Sequence, residues 1–277
     1  FLYFSRYLPD AIRLRLFTTD NPLGRVDRDL LPQETLMELL NDGFTTRQDV
    51  VCGPDLSEPF DRWLGVITND DGDAMSISWQ INCMKGTIGL KWIPPTVEYF
   101  RLSDSEVSGS VDLTVLPPVL KSLDLSQNLL SGTLDLTSLP VPLENLRLSF
   151  NMFSRELDLT CLPVQLKTLT VSNNQLGGSL DLSSLPNGLL LLLLHDNAFE
   201  CHVDFTHLPQ TLHDLDVSNT GFSWDLHYSH GQSFHVSGSK VRLFENGSSV
   251  QESETSESLE YDTKNEIADN SSWCTII

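Results

Sequence analysis

The chain has 277 residues, 40% hydrophobic content and a formal net charge of −21. Because nucleic acid phosphates are also negative, this charge disfavours non-specific binding of DNA or RNA. A membrane-spanning helix needs about 20 consecutive apolar residues, and the sequence has no such stretch.

The N-terminal segment, residues 1–30, contains a weak copy of a pattern that recurs later. Leu8-Pro9 comes one length of that pattern before Pro32, and "LGRVDRDLLP" resembles the later "SGTLDLTSLP". We interpret this segment as a degenerate repeat, although Arg15 occupies a position that the pattern reserves for leucine.

The segment "LPQETLMELLNDG", residues 31–43, predicts a short helix. Pro32 suits a first turn, Leu36 and Leu40 share one face, and Gly43 can end the helix. The next segment contains Trp63 and leads into the regular part of the chain.

A repeat of constant length fills most of the remaining sequence. Its prolines occur at positions 94, 117, 140, 163, 186 and 209, which defines a 23-residue unit. Residues 116–138, "LPPVLKSLDLSQNLLSGTLDLTS", are the best copy. The asparagines that keep the same interval are Asn82, Asn128, Asn151, Asn174 and Asn197.

Alternation within each copy predicts a strand with one buried face. Leu123 and Leu125 flank Asp124, so the two leucines point to one side and the aspartate to the other. One copy cannot bury its leucines alone, whereas stacked copies cover one another. The repeat therefore predicts a solenoid.

The motif L-x-x-L-x-L-x-x-N resembles the leucine-rich repeat family, and "SG" followed by an alternating segment is most similar to its plant-receptor subclass. The "LP…LDLT" pattern is also similar to surface leucine-rich repeat proteins of protists. The resemblance covers about residues 33–243. It implies a leucine-rich repeat solenoid with a parallel concave sheet, an irregular convex side, little helix and about seven repeats in residues 71–243. It also implies that the asparagines form a structural ladder along the interior.

The same resemblance implies an N-terminal helical cap at residues 31–70. Trp63, Gly65 and Val66 match the family pattern W-x-G-V-x-C. Thr68 stands in place of the second cysteine, which puts the cap disulfide in doubt and leaves Cys52 with Cys83 as an alternative.

Binding residues are expected among the variable positions of the strands, on the concave face. The segment "NGLLLLLLHDN" has leucines at both core and variable positions. We expect Leu191 and Leu193 to be exposed there and to form an apolar contact patch with Phe150. The charged members of one column are interpreted as cross-strand ion pairs or ligand contacts. The full set of predicted ligand-binding residues is Tyr99, Arg101, Asp124, Arg147, Phe150, Leu191, Leu193 and Asp216.

A second column carries one aspartate per repeat. The mutual repulsion of these carboxylates must be offset, either by hydrogen bonds from Thr, Ser and backbone N–H groups or by a calcium ion. Because a single column offers few converging ligands, we favour hydrogen bonds and predict no metal site and no cofactor. The column consists of Asp112, Asp135, Asp158, Asp181 and Asp204.

Residues 244–277 are rich in glutamate, aspartate and serine and predict an acidic disordered tail. Asn246 and Asn270 begin glycosylation sequons. Cys274 begins "CTII", which resembles a prenylation box. The two signals imply opposite sides of a membrane.

No Gly-rich phosphate loop, G-x-S-x-G, H-E-x-x-H or kinase signature occurs, so the sequence predicts no enzyme. The resemblance implies a module that binds a protein or glycan ligand on its concave face, at the cell surface or secreted. One alternative is an intracellular scaffold, prenylated at Cys274 and attached to a membrane by its C-terminus. Another is the recognition domain of a larger receptor, such as a receptor kinase.

Overall fold

A computed structural model describes residues 28–45, 58–80, 84–229, 231–245 and 248–249. Several predictions lie outside these ranges and concern the repeat copy in residues 1–27, most of the acidic tail, and individual residues. Those residues are Cys52, Asn82, Cys83, Asn246, Asn270 and Cys274.

The predicted helix is confirmed as α1 (Gln33–Asn41), which begins directly after Pro32. Its buried side chains include Leu36, Met37 and Leu40, so one face of the helix packs on the first turns of the solenoid. Short 3-10 turns lie at Arg28–Leu30, Phe60–Arg62, Leu90–Trp92 and Leu113–Val115.

Among the described residues, the main sheet has nine strands. In spatial order they are β1 (Val66–Thr68), β2 (Ala74–Gln80), β4 (Tyr99–Ser103), β6 (Ser122–Asp124), β8 (Asn145–Arg147), β10 (Thr168–Thr170), β12 (Leu191–Leu193), β14 (Asp214–Asp216) and β16 (Ser233–His235). Strand β1 is antiparallel to β2, and every later neighbour pair is parallel.

Within the described residues, six short strands that follow the main strands form a second parallel sheet, and the chain from it to the next main strand is irregular as expected. Its strands are only two to five residues long, and the sequence analysis did not predict them. They are β3 (Lys85–Gly86), β5 (Glu106–Ser110), β7 (Leu129–Gly132), β9 (Met152–Arg155), β11 (Gln175–Gly178) and β13 (Ala198–Phe199).

One continuous apolar cluster runs through the described turns. In the best repeat copy, Leu123 and Leu125 come from β6 and the residue after it. Leu130, Leu134 and Leu136 come from β7 and the segment that returns the chain to the next main strand. Each turn repeats these contributions, which is why a single copy could not fold alone.

The two ends of this cluster are closed differently. At the first end Trp79 packs edge-to-face with Phe44 and Phe100, at centroid distances of 6.1 and 6.2 Å. Gly65 has a φ of 79°, and a Cβ there would lie 2.0 Å from the Ser78 carbonyl oxygen, which explains a glycine after Trp63.

At the other end a three-stranded sheet buries Leu226 and Val241. It consists of β15 (Ser223–Tyr228), β17 (Lys240–Glu245) and β18 (Ser248–Ser249). Strand β17 runs through Glu245 and pairs with β18, so the predicted disorder does not hold for residues 244–245 and 248–249. For the rest of the tail, which lies outside the described residues, it stays a prediction.

Candidate functional site

The outward side chains of the main sheet form rows, because equivalent residues of successive turns pair in register. The first outward row is Tyr99, Ser122, Asn145, Thr168, Leu191 and Asp214. The second outward row is Arg101, Asp124, Arg147, Thr170, Leu193 and Asp216.

The second outward row is largely covered. Leu193 is 3% exposed, so its predicted exposure is wrong. It lies in register between Thr170 and Asp216, which are also buried. Strands about 4.8 Å apart bring these side chains into contact, and they cover one another although they point away from the core.

Asp124 and Asp216 are buried and occupied by local contacts. Asp124 forms an ion pair with Arg101 at 3.2 Å, and its other oxygen accepts hydrogen bonds from the Ser126 backbone and hydroxyl. The Asp216 carboxylate accepts from the Ser218 backbone N–H at 2.8 Å. These carboxylates therefore stabilise the ends of their own strands, which leaves them poorly placed for a ligand.

The six consecutive leucines divide by position. Leu189, Leu192 and Leu194 belong to the apolar core. Leu191 is half-buried in the first outward row, and Leu190 is 40% exposed at the start of β12. Leu190 was not predicted as a binding residue because it precedes the strand. Earlier turns have lysine or glutamate at the equivalent position, and this contrast is the signal that could have identified Leu190.

Those equivalents form ion pairs along the same edge. The Lys121 and Glu98 side chains are 2.7 Å apart, as are those of Lys167 and Glu144. Leu190 interrupts this alternation with an exposed apolar side chain, and the exposed His213 follows it in the next turn.

Phe150 lies just beyond β8 in a left-handed backbone conformation, with a φ of 57°. Its side chain is 39% exposed. Bulky side chains rarely adopt this conformation, which costs about 1–3 kcal/mol. Other turns place polar residues there, with φ between 50° and 56°: Asp104, Gln127, Asn173, Asp196 and Asn219.

Two further exposed apolar residues lie near Phe150. Its carbonyl accepts from the Asn128 backbone N–H at 3.0 Å, which places it beside the turn that carries Leu129. Met152 follows two residues later in the chain. Leu129 is 44% exposed and Met152 is 40% exposed, so the rim has an apolar patch that the sequence analysis missed.

Each ladder asparagine forms hydrogen bonds with backbone groups of its own turn and of the preceding turn. The Asn151 side-chain amide donates to Leu125 of the preceding turn at 2.9 Å and to Leu148 of its own turn at 3.2 Å. Its oxygen accepts from the Leu130 backbone N–H at 3.0 Å. The same contacts recur once per repeat in Asn128, Asn174 and Asn197.

The fold is that of a leucine-rich repeat solenoid. In two turns a shorter side chain occupies the asparagine position. The Thr220 hydroxyl donates to the Val217 carbonyl at 2.6 Å, and the Ser105 hydroxyl donates to the Ser103 carbonyl at 3.3 Å. Neither reaches the preceding turn as the asparagines do.

No family model and no curated protein matches the chain. Among solved structures, it is similar to a pollen receptor kinase 3, with 19% identity over 75% of this chain and 95% of that one, at a TM-score of 0.49. It is also similar to the BIR2 ectodomain from Arabidopsis thaliana, with 19% identity, coverage of 77% and 94%, and a TM-score of 0.46. YopM from Yersinia enterocolitica is 25% identical over 56% of this chain and 37% of that one, at a TM-score of 0.42. All three TM-scores are below 0.5, so the fold is assigned from the asparagine ladder and the two parallel sheets.

The aspartate column is exposed, and each carboxylate accepts hydrogen bonds from the residue two positions later. Asp158 accepts from the Thr160 backbone at 2.8 Å and from its hydroxyl at 2.7 Å. This hydroxyl bond lowers the pKa of Asp158, and the Thr137 hydroxyl does the same for Asp135. For Asp181 the largest cause of a lowered pKa is the Ser183 backbone N–H.

The column does not converge on one point. Among the described residues, no group of three or more His, Cys, Asp or Glu side chains could hold a metal ion. The same residues include no helix long and apolar enough to cross a membrane. Cys161 and Cys201 are free.

Replacing Asn151 with alanine should lower the free energy of unfolding by about 2–3 kcal/mol, because the buried Leu130 N–H loses its partner. Urea unfolding would measure the change. Gln175→Ala, an exposed change in a neighbouring turn, is the control and should stay within about 0.5 kcal/mol of wild type. An Asn151→Ala value within that range would contradict the structural role of the ladder.

Thr160→Val should weaken the acid sensitivity of stability. A lowered pKa in the folded state stabilises the fold above the ordinary aspartate value of about 3.9, and that stabilisation is lost as pH falls through the lowered value. Without the Thr160 hydroxyl, the pKa of Asp158 rises towards its ordinary value, and the variant should lose less stability than wild type between about pH 5 and 2. Thermal melting across this range measures the effect, with Thr133→Val as an exposed control. Equal slopes for all three proteins would refute the explanation.

Proposed function

We propose that the protein is a non-catalytic module that binds a protein partner through the outward face of strands β8–β12 and the adjoining rim. We call this area the central surface. It comprises Asn145, Arg147, Phe150, Thr168, Leu190 and Leu191.

Phe150 is the observation that carries the proposal. An exposed aromatic residue occupies a left-handed position for which other turns use Asp, Asn or Gln. This conformation is unfavourable for a bulky side chain, and Phe150 does not belong to the buried apolar cluster, so folding does not explain the choice. Exposed aromatic residues are common at the centres of protein interfaces, where they contribute large apolar area.

The other members complete a contact surface of mixed character. Leu190 and Leu191 add apolar area, while Arg147 adds a cation to a strongly acidic protein. Arginine and aromatic residues dominate the energy of many protein interfaces. The combination favours a protein ligand over a glycan, which would be matched by more polar groups.

A photoreactive benzoylphenylalanine at position 191 should crosslink a partner from the cells that produce this protein, whereas the same group at the exposed Ser179 should not. With that partner, Phe150→Asn should weaken binding at least tenfold. Its stability should stay within about 1 kcal/mol of wild type, because asparagine tolerates the left-handed conformation.

Val164→Ser is the matched control, since it removes an apolar side chain that is 73% exposed and lies outside the central surface. It should leave binding unchanged. Equal binding by wild type and both variants would exclude the central surface as the interface.

We further propose that the protein acts outside the cell, on the basis of its two sequons. Glycosidase treatment of the native protein should then increase its mobility, and Asn246→Gln with Asn270→Gln should abolish that shift. An unglycosylated protein with an isoprenoid mass on Cys274 would instead support the intracellular scaffold.

A further inference from the structure

Three polar side chains of the central surface lie together with the buried side chain of Thr170. On β8, Asn145 is in register with Thr168 of β10, and Arg147 is in register with Thr170. Neighbouring strands are about 4.8 Å apart, so these side chains occupy one small area. We call them the polar cluster.

Within the part of the chain that the structure describes, the side chains of the polar cluster form no hydrogen bond. Thr170 is 1% exposed, and its buried hydroxyl has no partner. Over the ranges that the structure describes, Asn145, Arg147 and Thr168 also form no side-chain hydrogen bond or ion pair. Asn145 and Arg147 are half-buried, so a ligand can reach their donors, whereas Thr170 is covered by its neighbours. Because buried polar groups are nearly always satisfied, the unpaired Thr170 hydroxyl is an unusual feature of this area.

The neighbouring acid does not supply it. Asp124 lies in register between Arg101 and Arg147. Its carboxylate pairs with Arg101 and accepts from Ser126 instead. Arg147 therefore keeps its guanidinium donors for another acceptor, and such a planar group matches a carboxylate through two parallel hydrogen bonds.

An apolar contact lies at a defined distance from the polar cluster. Leu191 of β12 is in register with Thr168, and the exposed Leu190 precedes it. From β8 to β12 there are two strand spacings, or about 9.6 Å. An extended peptide advances about 3.3 Å per residue, so it covers this distance in about three residues.

We propose that the polar cluster binds an acidic side chain of the partner protein, and that an apolar residue three positions away in the same extended segment contacts Leu190 and Leu191. This inference rests on the proposed function and names the ligand chemistry of the same surface. A single carboxylate suits a single unpaired arginine, whereas a dianion would meet stronger repulsion from a chain of net charge −21.

The test is a positional-scanning library of extended peptides, acetylated and amidated so that no terminal charge remains, selected on the immobilised full chain. Wild type should enrich Asp or Glu with an apolar residue three positions away. Arg147→Gln should reduce the acidic preference at least tenfold and keep the apolar one, and Leu191→Ser should do the reverse. Arg155→Gln, an exposed arginine at the end of β9, is the matched control and should change neither. Urea unfolding checks that each variant folds.

Selection without an acidic preference, or an acidic preference that survives Arg147→Gln, overturns the inference and leaves the proposed function intact. If no peptide is selected but position 191 still crosslinks a partner, the inference is likewise overturned and the proposed function stays intact. A preference for phosphoserine over glutamate overturns the carboxylate assignment. Selection only by a chain that ends at Ser249 would identify the protein's own acidic tail as the occupant and also overturn the proposal. Loss of the crosslink itself counts against the proposed function.

Discussion

The amide side chain of each ladder asparagine is the contact on which the rest of this solenoid depends. Asn151 donates to carbonyls in two successive turns and accepts from a backbone N–H of the preceding return. It thereby satisfies groups that would otherwise be buried without partners where the chain leaves the main sheet. Because the contact repeats in four successive turns, from Asn128 to Asn197, it keeps both sheets in register there. Register in turn sets which outward side chains become neighbours.

Register also explains why so much of the outward face is unsuitable for binding. A serine row lies beside the second outward row, and the Ser172 hydroxyl donates to that of Ser149 at 2.8 Å. These small buried side chains and the row of Asp124, Thr170 and Leu193 cover one another. The accessible chemistry is consequently concentrated at the edges of the sheet and where a side chain of one turn has no matching neighbour.

Departures from the repeat therefore identify the surface better than its average features do. Phe150 takes a conformation that favours asparagine, Leu190 interrupts a run of lysine and glutamate, and Arg147 has its acidic neighbour engaged elsewhere. Each departure is unfavourable or neutral for folding. Together they lie on or beside three adjacent strands, which is the arrangement that a contact surface requires.

The sequence by itself determined the repeat length, the apolar core, the asparagine ladder and α1, because each depends on a short pattern whose physical cause is local or repeats at every turn. The burial of Leu193, the partner of Asp124 and the conformation of Phe150 were decided only by the tertiary structure. Alternation says that a side chain leaves the core, but whether it reaches solvent depends on its neighbours in the turns before and after it. The second sheet and β17 arose in the same way, because short strands without a strong pattern form only when an adjacent turn offers its backbone as a partner.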